Sequence, residues 1–271
     1  MSVSFDRVSD IYDATRGLPL HISEQVTQCI LDLVLATSET QFFEPGIGTG
    51  RIALPIVQRG YAYAGVDISE KMMMELRHKL QGTSHRLSLF HADATSLPFA
   101  DHSFDVAIAV HILHLIPNWQ QALAEIRRVL KPTGVFLYTH GSDRHAKPDQ
   151  IDVDQYQSVG RQWRSILADY GFEPSDYGAS ESKVLGVLQA QGAKLETVIA
   201  AQWRIEKTVG ELLDRYQQRM YSSCWQIPDK VFSKAIVDLT AWCQRYYGSL
   251  DIDLSHKNQF KIVVVKDWAF D

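Results

Sequence analysis

The 271-residue sequence predicts an α/β protein built on a doubly wound, mostly parallel sheet. Three observations predict it. Between residues 40 and 140, short apolar runs alternate with stretches whose apolar residues recur at helical spacing. The run "FDVAIAVHIL" is almost wholly apolar, as a strand covered on both faces should be. The stretch "QFFEPGIGTGR" sets Gly46, Gly48 and Gly50 at every second position between a strand end and a helix start. Glycine weakens regular structure, so such a cluster needs a local reason. In α/β folds that reason is a turn bringing backbone close to a ligand at the carboxyl edge of the sheet.

The elements follow in order. "TQFFE" reads as a strand and "RIALPIVQRG" as a helix with Pro55 inside it, which would distort its first turn. "YAYAGVD" is a strand ending at Asp67. "SEKMMMELRHKL" is a helix with Ser69 as its N-cap. "RLSLFHAD" is a strand ending near Asp93, and "FDVAIAVHIL" is a fourth strand. "NWQQALAEIRRVLK" is an amphipathic helix with Asn118 at its N-cap and Leu123, Ile126, Val129 and Leu130 as its buried stripe. "PTGVFLYTH" gives a fifth strand. Repeated strand–helix–strand units imply parallel pairing with right-handed crossovers. Beyond residue 145 come helical stretches around "DQYQSVGRQWRSILADYG", "ESKVLGVLQAQG" and 208–247, with the strands "AKLETVIAAQWRIEK" and "KNQFKIVVVKDWAF". The expected division is 1–144 as N-terminal lid and ligand-binding core, 145–178 and 208–250 as helical cap insertions, and 179–207 with 251–271 completing the core sheet.

Composition narrows the function. Hydrophobic residues make up 45% and charged residues 22%, ordinary for a globular protein. The net charge of −5 argues against a nucleic-acid partner, which wants a basic face. Cys29, Cys224 and Cys243 have no metal-ligand spacing and read as reduced packing residues. No leader-like start or membrane-length apolar run is seen, so a cytoplasmic protein is expected, as a monomer or homodimer. The glycine turn does not complete the dinucleotide fingerprint, whose third glycine would fall on Arg51.

"FFEPGIGTGR", "YAYAGVDISEKMM", "FHADATSLPFADHSFDVAIAVHILHLI" and "RRVLKPTGVFLY" resemble, in order, the motifs of class I S-adenosylmethionine-dependent methyltransferases, most closely the UbiE-like small-molecule group. "FDRVSDIYDATRGLP" is similar to the lead-in of that group. The resemblance implies a Rossmann-like sheet with an antiparallel C-terminal strand, and S-adenosyl-L-methionine as cofactor. Gly46, Gly48 and Gly50 would admit its methionine part, and Glu44 suits the ammonium. Asp67 would accept from the ribose hydroxyls. Ile68 and Met72 would pack on the adenine, Asp93 would meet its amino group, and the Ala94 N–H a ring nitrogen. Tyr12 and Arg16, one helical turn apart, would form a lid reaching the methionine end.

The expected acceptor is a small molecule. The sequence has no Pro-Pro pair and no Pro-Cys dipeptide, so the usual signatures of DNA amino and cytosine methylation are absent. His111, His114 and His140 are the candidate catalytic groups, because imidazole titrates near neutrality and these sit at the fourth and fifth strand ends. His111 would also line the cofactor pocket. No metal is expected. Two alternatives stay open at this point: a non-catalytic S-adenosylmethionine-binding protein, and a nucleotide-dependent enzyme on the same type of sheet.

Overall fold

The computed structural model describes Phe5, Asp6, Ser9 and residues 12–140, 155–173 and 178–268. The start of the helical stretch expected from 145 lies outside the described residues as far as 154. The chain divides into two compact units. The first comprises Met1–Arg144, Asp176–Ala201 and Gln259–Asp271; the second comprises His145–Ser175 and Gln202–Asn258.

The first unit opens with helices α1 (Tyr12–Arg16) and α2 (Leu20–Leu33). Strands β1 (Gln41–Pro45), β2 (Ala62–Asp67), β3 (Leu87–His91), β4 (Phe104–Val110) and β5 (Leu130–Thr139) follow, with α3 (Ala53–Gln58), α4 (Glu70–Lys79) and α5 (Trp119–Val129) between them. Helix α7 (Glu181–Ala190) precedes β6 (Lys194–Thr208), and β7 (Asp253–Lys266) comes last. The sheet order is β3-β2-β1-β4-β5-β7-β6. The first five strands pair in parallel, and β7 runs antiparallel to β5. The chain reverses its direction of travel across the sheet between β1 and β4, and in open sheets such a switch point is where a crevice forms.

The core of this unit is aromatic at its centre. Phe43 and Phe104 stack at 5.0 Å, and Phe99 meets both edge-on. Helix α5 presents Leu123, Ile126 and Val129, each at most 2% exposed. Full burial of such side chains contributes about 1.5–3 kcal/mol apiece. In the second unit, α6 (Gln155–Asp169), α8 (Val209–Gln217) and α9 (Asp229–Tyr247) share a separate core around Trp163, Leu213, Phe232 and Leu239.

Several details differ from the sequence reading, among them Leu130, which opens β5 instead of ending the α5 stripe. Helix α2 was not assigned there, although Ile22, Val26 and Ile30 recur every four residues and are all buried. Helix α3 begins at Ala53, so Pro55 falls in the first turn, where a missing N–H costs nothing. Strand β4 stops at Val110, because His111 takes a left-handed backbone (φ 54°). Asn118 occupies the N-cap position of α5, but its side chain makes no capping bond.

Candidate active site

The glycine turn lies at the carboxyl end of β1, and all three glycines have positive φ. Two of them are also required by packing. A Cβ on Gly46 would stand 2.5 Å from the Ile112 side chain, and one on Gly50 would stand 2.4 Å from Leu76. Gly48 differs: its hypothetical Cβ would touch the Met72 methyl at 3.3 Å and lie 4.0 Å from Asp67 Oδ2. Gly48 therefore faces the two residues expected to hold a nucleoside.

Asp67 ends β2 and is locked in place. Its Oδ2 accepts the Gly48 N–H at 2.8 Å and its Oδ1 accepts the Ser69 N–H at 2.8 Å. A carboxylate oxygen has two lone pairs, so each retains capacity for a ligand hydroxyl. Burial raises the Asp67 pKa, the backbone N–H groups oppose this, and nearby Asp6 adds to the rise. Ser69 caps α4 through the Met72 N–H at 3.2 Å and also bonds Asp6. Met72 is 4% exposed. The Ile68 carbonyl contacts His91 Nε2 at 3.0 Å.

Asp93 is partly occupied by its own loop: its Oδ1 accepts the Thr95 N–H and hydroxyl at 2.9 and 2.8 Å. Ala94, next to it, is buried. The loop is stapled by Arg128, which bonds Glu125, Asp101 and the carbonyls of Leu97 and Phe99, while Glu125 takes the Leu97 N–H. Sequence reasoning did not single out Arg128 or Glu125.

Glu44 is 4% exposed, and the Tyr63 hydroxyl donates to its Oε2 at 2.8 Å. Burial pushes its pKa up to about 8, opposed by the Tyr63 hydrogen bond and by Arg51. Tyr63 and Arg51 were not among the expected site residues. Arg51 follows the glycine turn and donates to the Arg16 carbonyl at 3.3 Å. The Arg16 guanidinium lies 5.9 Å from the centres of both the Phe5 and Tyr12 rings. Asp13, between Tyr12 and Arg16 in sequence, accepts from Thr49 Oγ1 at 2.6 Å and pairs with Lys79, which also donates to the Thr49 carbonyl. The N-terminal segment is thus tied to the glycine turn through its acids, a linkage that Tyr12 and Arg16 alone did not reveal.

The three histidines lie together. The His111 N–H donates to the Thr139 carbonyl at 2.9 Å. The His114 and His140 rings meet edge-on at 5.4 Å, and Tyr138 Oη lies 2.9 Å from His140 Nδ1. Burial holds His111 well below the ordinary histidine range, helped by the charges of Arg51, His114, His140 and Arg16. His111 is therefore neutral at physiological pH. Among the described residues, no group of three or more His, Cys, Asp or Glu could hold a metal ion, and no helix is long and apolar enough to cross a membrane.

Residues 43–138 match the family model described as a methyltransferase domain. The chain is 27% identical over 197 residues to a fatty-acid O-methyltransferase of Mycolicibacterium smegmatis, covering 69% of this chain and 66% of that protein. It is 33% identical over 135 residues to a demethylmenaquinone methyltransferase of Clavibacter sepedonicus, covering 49% and 55%. The chain thus spans between about half and two thirds of the length of these curated relatives. A solved structure of a putative methyltransferase from Bacillus halodurans shares the fold, with a TM-score of 0.59 at 18% identity over 89% of this chain and 98% of that one. Residues 43–138 therefore carry a methyltransferase domain, and the curated relatives it resembles are methyltransferases. S-adenosylmethionine is the cofactor of such methyltransferases, and the residues present fit it: an acidic strand end beside Gly48 that can accept from ribose hydroxyls, and an apolar Met72 wall.

Proposed function

We propose that this protein moves the methyl group of S-adenosylmethionine to a small-molecule acceptor. The observation that carries the reading is the Asp67 carboxylate, fixed by the Gly48 and Ser69 N–H groups at the carboxyl end of the parallel sheet. Asp67 holds the ribose diol, and Ile68 and Met72 flank the adenine. Asp93 and Ala94 meet the adenine edge, and Glu44 lies toward the ammonium, with Tyr12 and Arg16 closing from the N-terminal segment. When bound, the cofactor supplies a sulfonium methyl for in-line displacement. The protein's contribution is then alignment, which is worth most when the reacting atoms are held about 3–3.5 Å apart. His111, His114 and His140 line the acceptor side, where they orient the attacking group. Unit 1 is read as the catalytic core and unit 2 as an inserted helical module. Cys29, Cys224 and Cys243 form no disulfide, which supports a reducing compartment such as the cytoplasm. The relatives' names point to fatty-acid, sterol and menaquinone-like acceptors as the first classes to assay.

The test is calorimetric titration of S-adenosylhomocysteine into the wild type and Asp67→Ala. Each charge-assisted hydrogen bond is worth about 1.5–3 kcal/mol, so a folded Asp67→Ala variant should bind at least tenfold more weakly. Equal affinity would remove Asp67 from the site, and no binding by the wild type would end the reading.

A further inference from the structure

Strand β6 ends the sheet order, and among the described residues its ladder neighbour is β7 alone. Its far side is therefore an edge, a row of N–H and C=O groups able to pair with another strand. The strand is long for an edge, fifteen residues without a proline. Glu196, Thr197, Ile199, Gln202, Arg204 and Glu206 are all exposed along it. Ile199, at 47%, is among the large apolar side chains that the fold leaves in water.

The charges on β6 are of both signs, and their order is informative. Lys194, Glu196, Arg204 and Glu206 are even steps apart and so share one face of the strand. Ala200 lies midway between Glu196 and Arg204, and also midway between Lys194 and Glu206. Alternate residues of a strand turn their N–H and C=O groups to the same side. Two antiparallel copies related by a two-fold axis can thus align only with a residue opposite its own equivalent. With Ala200 on that axis, Glu196 meets Arg204 of the second copy, and Lys194 meets its Glu206. The same ladder sets Leu195 against Ile205, Thr197 against Trp203 and Ile199 against Ala201. Moving the axis by one residue fails in both directions. With Ala201 on it Glu196 faces Glu206, and with Ile199 on it Lys194 faces Arg204. Like charges directly opposite are destabilising. The charges thus reject the adjacent registers and accept one. Arg204 donates to Ser255 Oγ at 2.7 Å and Lys194 pairs with Asp267 at 2.7 Å, yet each side chain has further donors for a second acceptor.

We propose that the β6 edge is a self-association surface, on which a second copy of this chain pairs antiparallel with Ala200 opposite Ala200. The two-fold axis makes the Glu196–Arg204 and Lys194–Glu206 pairs twice each. The backbone ladder supplies the attraction, and the charge pairs fix the register. The proposal is independent of the methyl-transfer reading, since it uses no residue assigned to the cofactor or the acceptor.

The experiment is sedimentation equilibrium of the full chain, which gives the dimer dissociation constant. The wild type is expected in monomer–dimer equilibrium. Glu196→Arg sets arginine against Arg204, and Arg204→Glu sets glutamate against Glu196. Each like pair then occurs twice, so either variant alone should self-associate roughly tenfold more weakly or less still. The chain carrying both exchanges should regain wild-type association. An equimolar mixture of the two single variants should form mixed dimers, because every exchanged charge then meets its opposite. Restoration in the double exchange and in the mixture separates lost pairing from lost folding. A wild type that stays monomeric across the concentration range overturns the proposal. So does a dimer that the single exchanges leave unchanged, or a weakening that neither the double exchange nor the mixture restores.

Discussion

Glu44 is a carboxyl that the fold keeps protonated in a range where it would ionise in water. Its ordinary pKa of 4.5 rises to about 8 in the folded chain. Below about 4.5 both folded and unfolded chains hold the proton, and it contributes no pH dependence. Between 4.5 and 8 only the folded chain keeps it, so stability falls as pH rises through this window and levels off above it. The full effect is on the order of 3–5 kcal/mol. Urea unfolding of the cofactor-free protein at pH 6 and pH 8.5 should show the loss, and Glu44→Gln should flatten the slope. An unchanged slope in the variant would assign the pH dependence elsewhere. The glycine turn and Asp67 were legible in sequence because consecutive residues encode the turn and the strand end. The Tyr63–Glu44 contact was not, because it follows from the β1–β2 register, which sets Tyr63 opposite Phe42 and Gly65 opposite Glu44.

At the scale of elements, the loop after β3 depends on one side chain from α5. Arg128 bonds Glu125, Asp101 and two loop carbonyls, and the bonds to Glu125 and Asp101 raise its pKa. Arg128→Ala leaves the Leu97 and Phe99 carbonyls and Glu125 without this partner. We expect a loss of about 2–3 kcal/mol, seen as a lower urea midpoint, together with weaker S-adenosylhomocysteine binding through the displaced Asp93–Ala94 turn. Full retention of affinity would separate the loop's order from the site. The α5 stripe was readable from its period, but the partners of Arg128 lie up to 31 residues away and leave no local signature. Helix α2 escaped for another reason. Its apolar residues keep helical spacing, but it begins after Pro19 with no side-chain cap to announce it. His111 reads as strand in sequence because its neighbours are apolar, while its backbone is left-handed for the sake of the Thr139 contact.

For the whole molecule, the division into two units is interrupted by two continuous strands. Strand β6 passes from the first unit to the second after Ala201, and β7 returns after Asn258. Melting either unit would pull strand residues away from the other. We therefore expect a single calorimetric transition whose van't Hoff and calorimetric enthalpies agree. Saturating S-adenosylhomocysteine should shift that transition as a whole by mass action. Two resolved transitions, with only one moved by the ligand, would show that the strands do not couple the units.

The sheet order also governs how the chain can be assembled during synthesis. Of the strands in this sheet, β7 comes last in the sequence but lies between β5 and β6. Until it leaves the ribosome, β5 has an open edge and β6 has no place in the sheet. Unpaired strand edges invite association with other chains. For most of its translation, this protein is therefore a half-sheet awaiting its interior, and the "FKIVVV" segment that seals it is also the most apolar part of the strand that must arrive unaided.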